Sequence, residues 1–341
     1  MNRQKNKLWM GMMLFAFLWL GLPQVTAQSA LPKNDEVHIG KLENGLKYYI
    51  HPNQRPKEVV ELRLVVDAGS ILEDDDQQGL AHFVEHMLFN GTESFPKNEL
   101  VKHLQSLGVA FGADLNAYTS FDETVYMLPI PTTNPTNLDT GFKILQEWAS
   151  KASSENDDID EERGIVLEEE RRGRGAMDRM MKEFLPYMLN HSRYSERLPI
   201  GKTDIIKNAP YEAFKRFYKD WYRPNLMTVI VSGDVTVEQA EKMIKKYFVN
   251  LQNPKNEKTR EYYKVAPYSG QQVMVVTDKE APSYSVGLMF TGREKTKIET
   301  KEQFRENLVE SLVFNMLNRR YSEAVDGGTA DYAGAGAYFG G

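Results

Sequence analysis

The chain has 341 residues, 41% of them apolar, and a formal net charge of -6. That length allows about two domains with a substantial core, and the acidic balance argues against nucleic acid as the main partner, because phosphate binding needs a basic surface. Cysteine is absent, which excludes disulfides, thiolate catalysis and Cys-ligated zinc.

Residues 1–27 read as a targeting segment. Arg3, Lys5 and Lys7 form a basic start, Leu8 to Leu22 is an apolar run, and Val25-Thr26-Ala27 fits a small-x-small cleavage site. Export to the periplasm or the exterior with cleavage is the expectation, and an uncleaved membrane anchor is the alternative. No later apolar run is long enough to span a bilayer. Strands are expected at Lys47–Ile50 and at Val59–Val66, where Val60, Leu62, Leu64 and Val66 alternate with Glu61, Arg63 and Val65. Asn44-Gly45 marks a turn. The acidic run Glu73-Asp74-Asp75-Asp76 precedes a helix through Gly79–Phe89, where acidic residues suit the helix dipole.

Asn90-Gly91-Thr92 ends that helix. A short amphipathic helix follows at Glu99–Leu107, with Leu100, Leu104 and Leu107 inward and Gly108 as its stop. Ala113–Thr119 and Glu123–Leu128 read as a hairpin. Leu138–Lys151 is helical, with Phe142, Leu145 and Trp148 on one face. Asp157-Asp158, read as capping residues, open a further helix through Glu170. Glu162, Val166 and Glu169 share a stripe on it, which Ile165 and Val166 place near the core. Helices at Met177–Leu189, with a kink or end near Pro186, and at Tyr211–Tyr222, strand Met227–Val231 and helix Val237–Phe248 complete a first unit, residues 37–250, of the α+β class.

The polar stretch 251–271 reads as a linker. A second unit, 272–341, is expected to open with strands Val273–Val276 and Ser285–Phe290 and to continue with a helix over about Lys301–Ala324. A final strand, Ala333–Phe339, has no helix after it to cover it. That reads as a truncated domain, with a flexible Gly-rich tail as the alternative.

The chemistry centres on His82, Glu85 and His86. Residues three and four apart fall on one helix face, so two imidazoles can share a divalent metal with a carboxylate beside them. Leu80, Val84, Met87 and Leu88 are free to face a core. Catalytic zinc usually takes three protein ligands and leaves a position for water. Among the other candidates, His38, His51, His103 and His191 lack a partner spacing, whereas Glu169 lies on a semi-buried stripe where an unpaired carboxylate is costly. Glu85 would then act as general base toward metal-activated water, which attacks a peptide carbonyl, and would return the proton to the leaving amine. The bland alternative is three ordinary polar residues on a helix. The apolar flanks argue against it.

With these motifs in view, the sequence resembles the pitrilysin–insulysin family of zinc peptidases, which includes the mitochondrial processing peptidases. The resemblance rests on Gly79-Leu80-Ala81-His82 through Asn90-Gly91-Thr92, on Leu115–Thr119 with Thr124-Val125-Tyr126, on Glu162 through Glu169, and on Trp221–Asn225 with Gly233-Asp234. It covers Val37–Phe248 strongly and Val273–Gly341 more weakly. It implies a pitrilysin-like fold, an antiparallel-rich sheet packed with helices in a sandwich-type α/β domain, followed by the start of a second related domain. It also implies zinc held by His82, His86 and Glu169, Glu85 as the base, and Glu162 as a supporting acidic residue that does not bind the metal. Glu168 and Glu170 are weaker third ligands, because only Glu169 keeps the seven-residue step from Glu162. The 83 residues from His86 to Glu169 slightly exceed the family spacing, an excess assigned to the Ser153–Asp158 loop.

The resemblance further implies that a peptide substrate adds as a strand beside 113–119, at Asn116 and Ala117. For Asn116 the alternative is a strand-end residue satisfied by its own backbone. The family builds its chamber from two halves, so a second half or subunit is expected to close it. The function implied is a secreted or periplasmic zinc endopeptidase acting on peptides or small unfolded proteins. A non-catalytic scaffold or peptide-binding subunit is the competing reading, and the presence of His82, Glu85, His86 and Glu169 together argues against it.

Overall fold

The computed structural model describes residues 29–97, 99–106, 116–291 and 297–339. The targeting segment, the Gly108 stop and residues 113–115 of the expected hairpin lie outside the described residues. The chain divides into two compact units, one spanning Asn34–Gly292 and the other made of the remaining residues at either end.

The first unit is built on a sheet of six strands among the described residues. They are β1 (His38–Lys41), β2 (Lys47–Pro52), β3 (Val59–Val66), β4 (Asn116–Thr119), β5 (Thr124–Pro131) and β6 (Met227–Gly233), in the order β1-β2-β6-β3-β5-β4. Only β2 and β6 run parallel; all other neighbours are antiparallel. The expected alternation holds in β3, which buries Val60, Leu62, Leu64 and Val66. Leu62 lies between Val231 of β6 and Leu128 of β5, so three strands contribute to one apolar face.

The helices are α1 (Leu80–Asn90), α2 (Glu99–Ser106), α3 (Pro135–Ser150), α4 (Asn156–Gly173), α5 (Ala176–Met188), α6 (Arg193–Glu196), α7 (Thr203–Asn208), α8 (Tyr211–Trp221), α9 (Val237–Phe248) and α10 (Lys301–Asp326). Helices α3 and α9 add Phe142, Leu145, Trp148, Ala240, Ile244 and Phe248 to the sheet's core. Their starts are fixed locally. The Asn134 side chain accepts from the Thr136 N–H, and Thr236 forms a capping box with Gln239.

Helix α1 explains how polar groups come to sit inside this fold. Ala81, Val84 and Leu88 join the core of the sheet, while Leu80, Phe83 and Met87 pack with Ile159 and Val166 of α4 and with Phe214 of α8. Phe83 and Phe214 meet edge to face, with ring centroids 4.5 Å apart. Two of its three stripes are thus apolar and covered. The third carries His82, Glu85 and His86. Truncating a buried residue on either covered stripe would cost about 2–5 kcal/mol.

Four expectations need correction. Asp157 and Asp158 are not capping residues: α4 begins at Asn156 behind Glu155, and both aspartates lie in the first turn, where the dipole favours them. Ile165 does not mark the core, being 55% exposed, because it lies about 100° around the helix from buried Val166. Val273–Val276 and Ser285–Phe290 are not strands. No described residue forms a ladder with them, and Val273, Val286 and Phe290 are each more than nine-tenths exposed. Apolar alternation without a partner strand leaves backbone donors and acceptors to water. Ala333–Phe339 is not a strand either; it is tied to α10 by a reciprocal pair of hydrogen bonds between Asn318 and the Ala337 backbone.

In the second unit, α10 starts at a capping box of Thr300 and Gln303, and a single bridge pairs Ala30 with Thr300. Phe304, Leu308 and Leu312 on α10 are largely exposed. Among the described residues no helix is long and apolar enough to cross a membrane.

Candidate metal centre

The start of α1 is held from several directions. Gly79, with φ +102°, has no side chain with which to cap the helix. Glu73 supplies the cap, its Oε1 accepting from the N–H of Gly79 at 3.0 Å and of Ala81 at 2.8 Å. Of the acidic run, Glu73 is thus the residue that acts on this helix, as a hydrogen-bond acceptor for its free N–H groups. Burial pushes its carboxyl up to about 8, against the two N–H bonds and the charges of Arg197 and Arg193. Gly201 presses on the same point: a Cβ there would lie 2.2 Å from the Gly79 Cα, and its φ is +75°.

From this fixed start, His82 and His86 project their Nε2 atoms to within 3.2 Å of each other. Helix α4 brings Glu169 to them, 3.4 Å from His86 Nε2 and 3.7 Å from His82 Nε2. Ligand atoms at ~2.0–2.2 Å around a tetrahedral zinc lie roughly 3.3–3.6 Å apart, so the three donors already have close to the required spacing. Among the described residues this is the one group of three His, Cys, Asp or Glu donors close enough to hold a metal. The donor chemistry, two imidazoles and a carboxylate, suits zinc.

Glu162, about two turns before Glu169 on α4, reaches His86 from the other side. His86 Nδ1 donates to Glu162 Oε1 at 2.8 Å, and Asn90 Nδ2 donates to Oε2 at 3.1 Å. An ionised carboxylate only accepts, so it favours the neutral tautomer that keeps its proton on Nδ1 and has the lone pair on Nε2, toward the cluster. The pairing of Glu162 with His86 dominates the electrostatics of both groups. Burial alone would raise Glu162, but the His86 hydrogen bond and charge outweigh it, and its pKa is lowered. Burial pulls His86 down, yet the Glu162 hydrogen bond and charge outweigh this and raise it. His82 is lowered, first by burial and then by the charge of His86.

Glu85 lies beside the cluster and is almost fully buried. Its Oε2 accepts from Thr119 Oγ1 of β4 at 2.6 Å. Burial raises its pKa, opposed by the Thr119 bond and by His86. A raised carboxyl that can still ionise is suited to taking and returning a proton. These groups open into a cleft of about 430 Å3 walled by β4, including Asn116 and Ala117, and by Pro199 and Ile200. Strand β4 is the edge of the sheet. The Ala117 N–H donates to Asn116 Oδ1 at 2.9 Å rather than to a neighbouring strand.

The structure therefore brings together His82, Glu85, His86, Glu169, Asn116 and Ala117 around one cleft, with Glu162 buried behind His86. Glu168 and Glu170 turn to arginines instead, Glu168 to Arg171 and Arg172 and Glu170 to Arg174. Sequence reasoning missed Thr119, Asn90, Glu73 and the Pro199-Ile200 wall. For Glu73 there was a usable signal, an acid shortly before a helix whose own first residue, Gly79, cannot cap. The others depend on tertiary contacts more than 30 residues apart in sequence.

Two imidazoles one helical turn apart, a carboxylate from a second helix and a buried acid at an open sheet edge make the frame of a mononuclear metallohydrolase centre. Residues 48–198 match the family described as "Insulinase (Peptidase family M16)", and residues 208–324 match "Peptidase M16 inactive domain". The chain belongs to the M16 peptidase family. It is 35% identical over 310 residues to the "Probable zinc protease PqqL" of Escherichia coli (strain K12), covering 90% of this chain and 33% of that protein. To the "Zinc protease PQQL-like" of Arabidopsis thaliana it is 34% identical over 282 residues, 82% of this chain and 29% of that one. The crystal structure of "the first half of the periplasmic protease PqqL from Escherichia coli" is similar with a TM-score of 0.78 at 34% identity, over 89% of this chain and 64% of that one. The chain thus spans about a third of the length of these curated relatives. The fold is the pitrilysin-like α+β fold of these structures.

Proposed function

We propose that this chain is the metal-binding, catalytic portion of an exported zinc endopeptidase, acting in the periplasm or outside the cell on peptides or small unfolded proteins. The observation that carries the reading is the convergence of His82, His86 and Glu169 at tetrahedral spacing with Glu85 beside them. His82, His86 and Glu169 would hold the zinc. When bound, zinc supplies Lewis acidity toward water and toward a carbonyl oxygen.

The protein's own residues do the rest. Glu162 orients His86 through Nδ1. Glu85 takes a proton from the attacking water and delivers it to the leaving amine, with Thr119 steadying the carboxylate between the two transfers. A peptide adds along β4 at Asn116 and Ala117, displacing the local Asn116–Ala117 bond and giving backbone affinity without a demand for one sequence. The catalytic domain is assigned to residues 37–250 and the targeting segment to 1–27, with a linking stretch at 251–271 and a second related domain from 272. A second half or subunit closes the chamber. The names of the zinc-protease relatives support the class of reaction. All five acidic and imidazole site residues fall within the 48–198 match, not within the match to the inactive domain.

The test compares the wild type with Glu85→Gln on a quenched peptide library, in the full-length protein, with and without chelator. Glu85→Gln should keep about one zinc per chain and lose turnover, because the ligands remain while the base is gone. Turnover that survives both chelation and Glu85→Gln would overturn the reading.

A further inference from the structure

Residues 257–268 contain no helix or strand, yet they are fastened to the first unit along their length. Glu257 pairs with Arg223 at 2.5 Å, Lys258 with Asp220 at 2.9 Å, and the Pro267 and Ala266 carbonyls accept from Asn190. The strongest fastening is Arg260. Its side chain is only 5% exposed. Burying a guanidinium is costly unless its donors are matched, so such a residue marks a built contact.

Arg260 joins two points at the site end of the sheet. Its Nε donates to the carbonyl of Asp67, just past β3, at 3.0 Å. Its Nη2 donates to Asp122 Oδ1 at 3.0 Å and to the Asp122 carbonyl at 3.3 Å. The remaining carboxylate oxygens are taken by neighbours. Tyr262 donates to Asp67 Oδ2 at 2.6 Å, and Tyr194 donates to Asp122 Oδ2 at 2.9 Å. Asp122 sits in the turn between β4 and β5, which closes through Ser120 N–H to the Glu123 carbonyl at 2.8 Å. The residue before that turn is Thr119, whose hydroxyl holds Glu85.

We propose that residues 257–263 are a strap and that Arg260 is a positioning residue: through Asp122 it fixes the β4–β5 turn, and so sets both the substrate edge of β4 and the Thr119–Glu85 contact. This inference rests on the peptidase reading for its catalytic consequence but not for its structural one. Arg260 touches neither α1 nor the proposed ligands, so its loss should leave metal binding intact.

The experiment uses full-length Arg260→Gln and Arg260→Lys, with amide hydrogen exchange as the primary readout. In Arg260→Gln, exchange across 116–124 should rise about tenfold or more, the loss expected for charge-assisted hydrogen bonds, while α1 and α4 exchange as in the wild type and zinc stoichiometry is kept. Arg260→Lys, a single point charge unable to reach both aspartates, should fall between the two. On a cleaved peptide KM should rise more than kcat falls. Unchanged exchange at 116–124, or a rise spread equally over the whole unit, would overturn the strap. A local rise in a protein whose wild type cleaves nothing would uphold the strap and overturn the peptidase reading alone.

Discussion

Replacing Glu162 should weaken metal binding without removing a ligand. Glu162 Oε1 holds His86 Nδ1 at 2.8 Å, and Asn90 steadies its other oxygen. In Glu162→Ala both the tautomer and the ring orientation of His86 are released, and Nε2 can carry the proton that a metal must displace. Partners of this kind typically contribute 10- to 100-fold in metal affinity, or about 1.4–2.7 kcal/mol. Glu162→Gln should lie between the wild type and Glu162→Ala, because the amide oxygen still accepts from Nδ1 while the charge is gone. Glu169→Gln, which removes a proposed ligand, should lose more than either. The assay is a competition titration of zinc against a chromophoric chelator at fixed pH. If Glu162→Ala bound zinc within twofold of the wild type, the orienting role would be refuted.

Three further outcomes follow from neighbouring contacts. Thr119→Val removes a bond that lowers the Glu85 pKa, so the acidic limb of kcat/KM against pH should move to higher pH; an unmoved limb would contradict it. Glu73 has a folded pKa of about 8, above its unfolded value. Its contribution to stability is therefore fully present below the ordinary carboxyl range and is lost as pH rises toward 8. The Tm of the wild type should fall relative to Glu73→Gln between about pH 5 and 8, and parallel Tm curves would count against this. Gly201→Ala should destabilise by more than about 2 kcal/mol, since its Cβ meets backbone at Gly79 that cannot swing aside; urea unfolding measures it, and a loss under about 0.5 kcal/mol, the range of ordinary surface substitutions, would be inconsistent with the contact.

Much of this site was legible because its signals are local. The spacing of His82, Glu85 and His86 places them on one stripe only if residues 80–90 are helical, and the other two stripes are apolar enough to require it. Glu162 and Glu169 share one stripe of a single helix, but Glu162's role came from the family resemblance, and the burial argued for Glu169 does not hold, since its side chain is 51% exposed. What stayed hidden depends on partners. Val273–Val276 and Ser285–Phe290 alternate like strands, but a strand is made by its neighbour, and no described residue pairs with them. Ile165 looks like core by type, and only the direction from which α4 is covered decides otherwise. Arg260 lies in a stretch whose composition reads as linker, and composition cannot register that Asp67 and Asp122 converge from distant positions to meet it.

The order of the sheet also bears on how the chain reaches this state. Strands β2 and β3 are neighbours in sequence but not in the sheet, because β6 lies between them, parallel to one and antiparallel to the other. Leu62 must wait for Val231 before its ladder is complete. Such pairings carry a large loop-closure cost, slow folding, and leave unpaired edges exposed in the meantime. A nascent chain that has reached Glu169 holds every proposed ligand, yet it lacks the strand that joins the two parts of the sheet. On this topology the sheet against which the ligand-bearing helix packs is continuous only once Met227–Gly233 has taken its place between β2 and β3.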